Sequence, residues 1–394
     1  MSDHTFVFWQ RIVSPHQAGL AKALAAAGCC VHYVAEEPMS HVRAAQGWVA
    51  PDLGPVATQF VPDPRALPSI IDELAPDAIH LCQGLARNGM PNQAASALRR
   101  RGARLGATLE TVDDRGRIKG PLKCAWYSSL AWQLGTQTDF LLATGHRTPQ
   151  WLEERGFDAR RIFPFTYFLP DLASSAPLSP MAYGHGGRVP RIGFVGLVDE
   201  RKRLDILIEA LALIGQRDAV LVVIGAGVLE VEMRALAQTR LGRERVEWIG
   251  QRSMEEARRL MSTLDLLVLP SDHDGWGAVV SEALLAGVPA VCSDACGAAE
   301  AVMASGIGGV FKAGSVSGCA AVIEAWLSSK ECHSLDRAEL SRWARSFSSA
   351  SGARYLRAIC DHVYESAQRP EPPWRREPEP APSSLCPSIG VSIG

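Results

Sequence analysis

Continuous apolar runs alternate along this chain with segments of helical periodicity. The run 264–269 is entirely apolar except for Asp265 and is followed by Pro270, which is the pattern of a strand buried on both faces of a parallel sheet. After a polar loop, apolar side chains recur with helical spacing at Val279, Val280, Ala283 and Leu284. Gly287 and Pro289 then end the predicted helix. This stretch therefore predicts a strand, a loop and a helix.

The same alternation opens the chain and continues through it. Strands are predicted at 6–9 and 31–35, and Ser14 with Pro15 begins the helix between them, as an N-cap residue followed by proline at the first helical position. Further strands are predicted at 79–82, 105–111, 140–144, 191–196, 221–224 and 246–250. Strands that alternate with helices in this way indicate an α/β fold with parallel sheets.

The length of 394 residues fits two domains of ordinary size. Residues 170–187 are rich in Pro, Ser, Ala and Gly and have no periodicity, which is typical of a linker. The predicted division is an N-terminal domain at 1–170, a linker at 171–188, a C-terminal domain at 189–345 and a helix at 346–367. The Pro-rich segment 368–394 is predicted to be a disordered tail.

Composition excludes several classes of protein. The formal net charge is −2, which argues against a nucleic-acid-binding protein held by phosphate attraction. The ten cysteines include no C-x-x-C pair, so reduced thiols are expected rather than a zinc site. The beginning of the sequence does not have the pattern of a signal peptide, and no run approaches 18 apolar residues. We therefore expect a cytoplasmic protein, with attachment to the inner face of a membrane as an alternative.

Basic residues are dense between 99 and 123. Eight arginines and lysines in this segment face only three acids. Such a segment can meet anionic lipid headgroups or an acceptor diphosphate, or it can be an ordinary solvated helix and loop. The sequence alone does not choose between these alternatives.

Carboxylates mark the loop between the predicted strand at 264–269 and its helix. Asp272 and Asp274 lie in the loop, and Glu282 lies about two turns into the helix. The first amides and the positive end of such a helix can bind a phosphate. Asp272-His273-Asp274 also has the Asp-x-Asp spacing by which carboxylates hold Mg²⁺ together with substrate phosphates. We expect a diphosphate site here and consider Mg²⁺ the less favoured alternative.

The segment DGWGAVVSEALLAGVP, from Asp274, resembles the acid-x7-acid motif of retaining glycosyltransferases of family 4, within the glycosyl transferases group 1. The resemblance implies a GT-B fold, in which two Rossmann-like doubly wound domains face a central cleft. It also implies that Asp274 contacts the transferred sugar and that Glu282 holds the ribose of the donor. The amides of Gly277, Ala278 and Val279 would lie against the diphosphate. Asp274 departs from the family pattern, in which the first acid is usually Glu.

Two earlier strand-to-helix turns complete the donor side of the resemblance. Members of the family commonly have Gly-Arg after the first strand of this domain and a Lys five residues after the Arg. Gly196 and Lys202 match that pattern, whereas Leu197 replaces the Arg, so Arg201 or Arg203 is expected to supply the second cation. Gly225 and Gly227 form the next turn, where glycine lets the backbone approach a ligand. Glu230 makes a dinucleotide-binding fingerprint incomplete.

The acceptor side is less defined. His16 follows the first strand, where an acceptor or donor contact is one hypothesis and a plain first-turn residue is the other. Family members often have a His near residues 110–114, and none occurs here, so Glu110 or Asp113 is the candidate replacement. His146 follows the strand at 140–144, at the end where α/β sites lie; a turn role is the alternative.

The resulting hypothesis is a retaining glycosyltransferase that moves a sugar from a nucleotide-sugar to an acceptor hydroxyl. Asp274 and Lys202 would be its catalytic residues, and no metal or cofactor is expected. The acceptor would be a glycan or a lipid-linked glycan in exopolysaccharide or cell-surface assembly. Two alternatives remain, a GT-B nucleotide-sugar epimerase and a non-catalytic relative that binds sugar nucleotides.

Overall fold

The computed structural model describes residues 4–45, 48–170, 189–215, 219–329 and 337–375, which fall into two units. Unit 1 contains the described residues up to 170 together with 347–373, and unit 2 contains those from 189 to 346 together with 374–375. The predicted linker at 171–188 and residues 376–394 of the predicted tail lie outside the described residues. None of the described helices combines the length and apolarity needed to cross a bilayer.

Unit 1 begins with seven strands and six helices in alternation. The strands are β1 Thr5–Gln10, β2 Cys30–Ala35, β3 Ala57–Phe60, β4 Ile79–Gln83, β5 Leu105–Glu110, β6 Phe140–Thr144 and β7 Ile162–Phe165. The helices are α1 Pro15–Ala26, α2 His41–Ala45, α3 Leu67–Glu73, α4 Met90–Arg100, α5 Lys119–Leu134 and α6 Thr148–Glu153. Ser14 accepts the amide N–H of Gln17 at 3.3 Å, so the predicted start of α1 is confirmed.

All the strands of unit 1 are parallel, in the order β3-β2-β1-β4-β5-β6-β7. β1 is an interior strand, and its residues 6–9 are fully buried. Helices α3 and α4 pack against residues of β1 and β4 in one hydrophobic cluster. Helices α5 and α6 pack against residues of β5 and β6 in another. The direction of the chain order reverses between β1 and β4.

Unit 2 repeats this design with six strands. They are β8 Arg191–Val195, β9 Val220–Ile224, β10 Val246–Gly250, β11 Leu266–Leu269, β12 Ala290–Ser293 and β13 Gly308–Phe311. The helices are α7 Leu204–Ile214, α8 Glu230–Arg240, α9 Met254–Met261, α10 Ala278–Leu285, α11 Ala299–Ala304, α12 Val316–Ser328 and α13 Arg337–Ala344. The strands are parallel in the order β10-β9-β8-β11-β12-β13. The predicted α/β class with two doubly wound parallel sheets is confirmed.

In open parallel sheets, ligands bind outside the carboxyl ends of the strands, where the chain order reverses. In unit 2 this position lies between β8 and β11. The loop after β8 carries Lys202, and the loop after β11 carries Asp274. The topology therefore brings the two predicted catalytic residues to the same edge.

The last helix, α14 Ser349–Glu365, belongs to unit 1 and packs against α1. A Cβ at Gly19 of α1 would lie 2.6 Å from Ser349 Oγ, so the two helices approach closely only because residue 19 is glycine. Tyr355 Oη donates a hydrogen bond to the carbonyl of Pro164 at 3.0 Å. This helix corresponds to the one predicted at 346–367.

Residues 368–375 differ from the disordered tail that their composition predicted. Arg369 donates to the carbonyl of Arg160 at 2.7 Å, and its guanidinium lies 4.3 Å from the centre of the Phe163 ring. Trp374 is only 2% exposed. The Pro-rich composition did not reveal that Trp374 is buried and that Arg369 is hydrogen-bonded, and these two residues hold the segment in place.

Candidate functional site

The loop after β11 is tied by its backbone to the loop after β12. The amide of Asp274 donates to the carbonyl of Ala295 at 3.1 Å, and the amide of Gly297 donates to the carbonyl of Asp274 at 3.0 Å. A Cβ at Gly297 would lie 2.1 Å from the carbonyl oxygen of Gly275. The two loops can therefore meet only with glycine at position 297, and their contact fixes the backbone of Asp274.

Lys202 and Asp274 form a close ion pair. Lys202 Nζ lies 2.5 Å from Asp274 Oδ2, and the two side chains are 12% and 13% exposed. The amide of Lys202 donates to Asp199 Oδ1 at 2.9 Å, which fixes the turn that precedes α7. The residues predicted to be catalytic are thus in direct contact.

The structure separates the two arginines that were offered as substitutes for the one missing at Leu197. Arg201 Nη1 lies 3.3 Å from Asp274 Oδ2 and donates to the carbonyl of His273 at 3.2 Å. Arg203 instead binds Asp272 through Nη1 at 3.0 and 2.9 Å, and it also binds Asp205. Arg201 is therefore the second cation beside Asp274.

Opposing effects set the charge of Asp274. Burial raises the pKa of its carboxyl group, but the charges of Lys202 and Arg201 more than offset burial, so the net pKa is lowered. Asp274 is therefore ionised at neutral pH. A buried carboxylate with two cations beside it makes a strongly polar site at the point where the chain order reverses.

Glu282 is held from the neighbouring helix α9. Arg258 donates to Glu282 Oε1 through Nε at 3.0 Å and through Nη2 at 2.9 Å. The Glu282 side chain is 15% exposed. Burial raises the pKa of Glu282, and Arg258 offsets part of that effect. Both bonds go to Oε1, and among the described residues no hydrogen bond reaches Oε2.

The amino end of α10 is fixed by the residues around Gly277. The backbone of Gly277 has φ +89°, and a Cβ there would lie 2.6 Å from Cys296 Sγ, so no other residue fits. Trp276 Nε1 donates to Ser281 Oγ at 2.9 Å, and Cys296 Sγ donates to the carbonyl of Trp276 at 3.1 Å. The first amides of a helix have no partner within it, and these contacts orient those of Ala278 and Val279.

A second support for this loop comes from the end of the described chain. Trp374 packs against Trp276, with ring centres 6.3 Å apart, and both side chains are only 2% exposed. Arg375 forms an ion pair with Glu300, at the start of α11. Residues 374–375 thus brace the segments that follow β11 and β12, although Arg375 is 75 positions from Glu300 and Trp374 is farther still from Trp276.

Residues 180–345 match the family model described as Glycosyl transferases group 1. This stretch is a glycosyl transferases group 1 domain. It includes all the described residues of unit 2 except Ser346, Trp374 and Arg375, and it carries the Lys202–Asp274 pair, Glu282 and the start of α10.

Curated relatives match part of the chain. The 2-deoxystreptamine glucosyltransferase of Streptomyces kanamyceticus is 32% identical over 129 residues, which cover 30% of this chain and 33% of the relative. The GDP-mannose-dependent alpha-mannosyltransferase of Mycolicibacterium smegmatis is 29% identical over 114 residues, which cover 29% of this chain and 28% of the relative. The chain therefore spans a third or less of the length of these relatives.

Solved structures resemble nearly the whole chain. HepE of Anabaena, crystallised in complex with UDP, has a TM-score of 0.67 at 16% identity and covers 91% of this chain and 99% of its own. WaaG, a glycosyltransferase involved in lipopolysaccharide biosynthesis, has a TM-score of 0.60 at 16% identity and covers 91% of this chain and 99% of its own. At this identity the likeness shows the fold alone, and the fold is GT-B, as predicted.

Within the group 1 domain, the glycines of the β9 turn allow it to pack against the β8 turn, and their approach to a ligand stays a prediction. A Cβ at Gly225 would lie 1.9 Å from the carbonyl oxygen of Gly196, and one at Gly227 would lie 2.3 Å from that of Val198. The amide of Val198 donates to the carbonyl of Ala226 at 3.0 Å. These glycines are required because the two turns pack backbone against backbone.

The residues predicted for the acceptor side lie in unit 1, outside the group 1 domain. His16, at the start of α1, is buried and stacks on Tyr167 at 4.7 Å between ring centres. Glu110 ends β5, and His146 follows β6, the next strand of the sheet. In the strand order, β1 lies two strand spacings from β5, about 10 Å, and three spacings from β6, about 14 Å. Asp113 binds Arg115 Nε at 2.8 Å.

The basic residues of 99–123 also fail to form one patch. Arg99, Arg100, Arg101 and Arg104 precede β5, whereas Arg115, Arg117, Lys119 and Lys123 follow it. A six-residue strand spans roughly 17 Å, so the two groups lie at opposite ends of the sheet. The sequence could not show this because the run of basic residues continues across the strand.

Arg258 and Trp374 were not recognised from the sequence. Arg258 precedes Glu282 by 24 positions and lies on a different helix, so no local spacing connects the two residues. A capping box, Ser253 with Glu256, did mark the start of α9. Such a signal can locate the helix, but it does not show which of its arginines faces Glu282.

Proposed function

We propose that this protein is a glycosyltransferase that moves a sugar from a nucleotide-sugar donor to an acceptor hydroxyl, with retention of the anomeric configuration. The observation that carries the proposal is the contact of Lys202 with Asp274 inside a glycosyl transferases group 1 domain. Both residues follow the strands between which the chain order reverses, where parallel sheets bind ligands.

In this proposal the donor diphosphate is the leaving group. Lys202, Arg201 and the first amides of α10 stabilise the negative charge that develops on it. The acceptor oxygen bonds to the anomeric carbon on the same face from which the diphosphate leaves, so the enzyme needs no nucleophile. The leaving diphosphate accepts the proton of the acceptor hydroxyl. Asp274 binds hydroxyl groups of the transferred sugar, and its lowered pKa keeps it an acceptor of hydrogen bonds at neutral pH.

Glu282 is proposed to bind the ribose of the donor. Arg258 holds Oε1 with two hydrogen bonds, which fixes the carboxylate and directs Oε2 to a ligand. Two ribose hydroxyls are hydrogen-bond donors, and a fixed carboxylate oxygen is a suitable acceptor for them. Gly277, Ala278 and Val279 supply the backbone contacts to the diphosphate.

We further propose that transfer needs no metal ion. The two carboxylates of the Asp-x-Asp sequence are already paired with cations, Asp272 with Arg203 and Asp274 with Lys202 and Arg201. A divalent ion at these carboxylates would have to displace those partners. Transfer should therefore proceed at an unchanged rate in EDTA, and loss of activity restored by Mg²⁺ would contradict this part of the proposal.

The acceptor is proposed to be a glycan or a lipid-linked glycan, in the assembly of an exopolysaccharide or another cell-surface glycan in the cytoplasm. This setting follows from the family resemblance alone. His16, Glu110, Asp113 and His146 remain the candidate acceptor-side residues. Because they lie at or after the carboxyl ends of three different strands of unit 1, β1, β5 and β6, each requires its own substitution to test it.

The test uses the full chain with UDP-, GDP-, ADP- and dTDP-sugars and a panel of glycan acceptors. We expect one class of nucleotide diphosphate to be released, and only when an acceptor is present. Release without any acceptor, or recovery of an epimerised donor, would identify the epimerase alternative instead. A donor that binds tightly but is not consumed with any acceptor would identify a non-catalytic sugar-nucleotide-binding protein.

A further inference from the structure

Helix α5 carries apolar residues on a face that no described residue covers. Its inner face packs Leu130 and Ala131 into the core of unit 1. On the outer face, Leu122 and Trp132 are 65% and 85% exposed, and Ile118, just before the helix, is 74% exposed. A helix that is apolar all round is normally buried on all sides. This one is buried on one side only.

The exposed residues follow a single helical stripe. Positions 118, 122, 125, 129 and 132 are spaced by three or four residues, so they lie along one face. The stripe is about 21 Å long. Alanine and serine occupy 125 and 129, so the large apolar side chains stand at its two ends, with small residues between them.

The charge around the stripe is positive. Arg115, Arg117, Lys119 and Lys123 lie at its amino end, and all four are exposed. No acid occurs between residues 115 and 138. Of the two acids just before this stretch, Asp113 pairs with Arg115 and so offsets one of these four charges, while Asp114 lies 3.6 Å from Arg155 Nη2. The basic group therefore keeps a net positive charge.

We propose that this face of α5 docks on an anionic membrane surface. An apolar stripe with Trp at one end and basic residues at the other suits the boundary between lipid headgroups and acyl chains. The apolar side chains enter the boundary, and the arginines and lysines meet anionic headgroups. The proposed docking surface combines the basic residues at 115–123 with the apolar stripe of α5, which the distribution of charge along the sequence does not show. It does not depend on the proposed sugar transfer.

The test is co-sedimentation of the full chain with vesicles of phosphatidylcholine, with and without phosphatidylglycerol. We expect binding only when phosphatidylglycerol is present, weakened by salt because the attraction is screened. Substituting both Leu122→Ser and Trp132→Ser should lower the bound fraction about tenfold. Substituting both Arg117→Gln and Lys119→Gln should remove the preference for phosphatidylglycerol.

A matched control changes two exposed apolar residues of unit 2. Leu213 and Met303 are 63% and 58% exposed, and Leu213→Ser with Met303→Ser should leave vesicle binding unchanged. Circular dichroism checks that every variant is folded. The proposal is overturned if the unchanged protein does not bind anionic vesicles, or if the control pair weakens binding as much as the α5 pair. It is also overturned if the protein self-associates through this face and the α5 pair makes it monomeric.

Discussion

The two sheets of this protein share one strand order around their centres but place different chemistry where that order reverses. In unit 2 the loops after β8 and β11 bring a lysine and a carboxylate into contact. In unit 1 His16 lies in the first turn of the helix after β1 and is stacked on Tyr167. The neighbouring strand β4 carries His80 near its amino end, where it accepts a hydrogen bond from Trp9 Nε1 at 3.1 Å. The topology fixes the place of a site, and loop residues decide what it can bind.

The charges explain why the edge of unit 2 is suited to a phosphate. Asp274 is buried and yet ionised, because Lys202 and Arg201 lower the pKa of its carboxyl group below the usual range despite burial. His80 is neutral instead of charged at pH 7, because burial lowers its pKa to about 4. Unit 2 therefore keeps charge at its switch point, whereas unit 1 buries a neutral imidazole.

The largest effect is expected from the support of the loop in unit 2. Trp374→Ala removes a buried ring that packs on Trp276, and we expect the free energy of unfolding to fall by about 3–5 kcal/mol. Denaturant unfolding measures this change. Trp132 in unit 1 is 85% exposed, so Trp132→Ala should change stability by no more than about 0.5 kcal/mol. Equal losses in the two variants would show that Trp374 braces nothing.

The next largest effect is on the rate of sugar transfer, which should depend on a lysine of unit 2 and not on a lysine of unit 1. Lys202→Met should lower kcat about 10²–10³-fold because a donor of charge stabilisation to the diphosphate is lost. The steady-state rate of nucleotide diphosphate release measures it. Lys22→Met, on the helix that follows β1 in unit 1, should leave the rate unchanged. If both variants are as active as the unchanged protein, the charged contact of unit 2 has no catalytic role.

The third effect is a pH dependence that belongs to unit 1. Between pH 6.5 and about 4 the unfolded chain binds a proton at His80 that the folded chain does not, so stability falls as pH falls, by up to about 3 kcal/mol. Asp274, whose pKa is lowered, contributes only below about pH 5, where the unfolded carboxyl begins to bind protons, so His80 sets the slope between pH 6.5 and 5. Urea unfolding at several pH values measures the slope. His80→Gln should lose this part of the slope, and an unchanged slope would contradict the assignment.

The smallest effect concerns the ribose. Glu282→Gln should weaken binding of the cognate nucleotide diphosphate about 10–100-fold, since a charged hydrogen-bond acceptor is lost. Isothermal titration with the ribonucleotide and its 2′-deoxy analogue measures the loss. The deoxy analogue should lose less affinity than the ribonucleotide. Equal losses for both ligands would mean that Glu282 does not contact the ribose hydroxyls.

The sequence predicted elements whose pattern is local. The apolar run that ends in β11 and the helical spacing in α10 gave both elements, and glycine followed by proline gave the end of the helix. β3 was not predicted because all four of its residues are exposed, so it has neither a continuous apolar run nor alternation. α5 was not predicted because apolar residues on both its faces leave no amphipathic period to detect.

The candidate site was predicted in part for the same reason. Asp274 and Glu282 are close in sequence and form one motif, and the turn at Gly196 to Lys202 is also local. The bond from Arg258 to Glu282 and the contact of Trp374 with Trp276 join distant segments, so they depend on packing that no single stretch encodes. Arg201 could be offered only as one of two candidates until its distance to Asp274 was known.

The most direct test of the account is calorimetric titration of the full chain with UDP, GDP, ADP and dTDP and with the corresponding monophosphates. We expect one diphosphate to bind at least about tenfold more tightly than its monophosphate, and Lys202→Met to abolish that preference while the protein stays folded. If no nucleotide diphosphate binds, or if Lys202→Met keeps the full preference, the loop after β11 and its lysine do not form a diphosphate site.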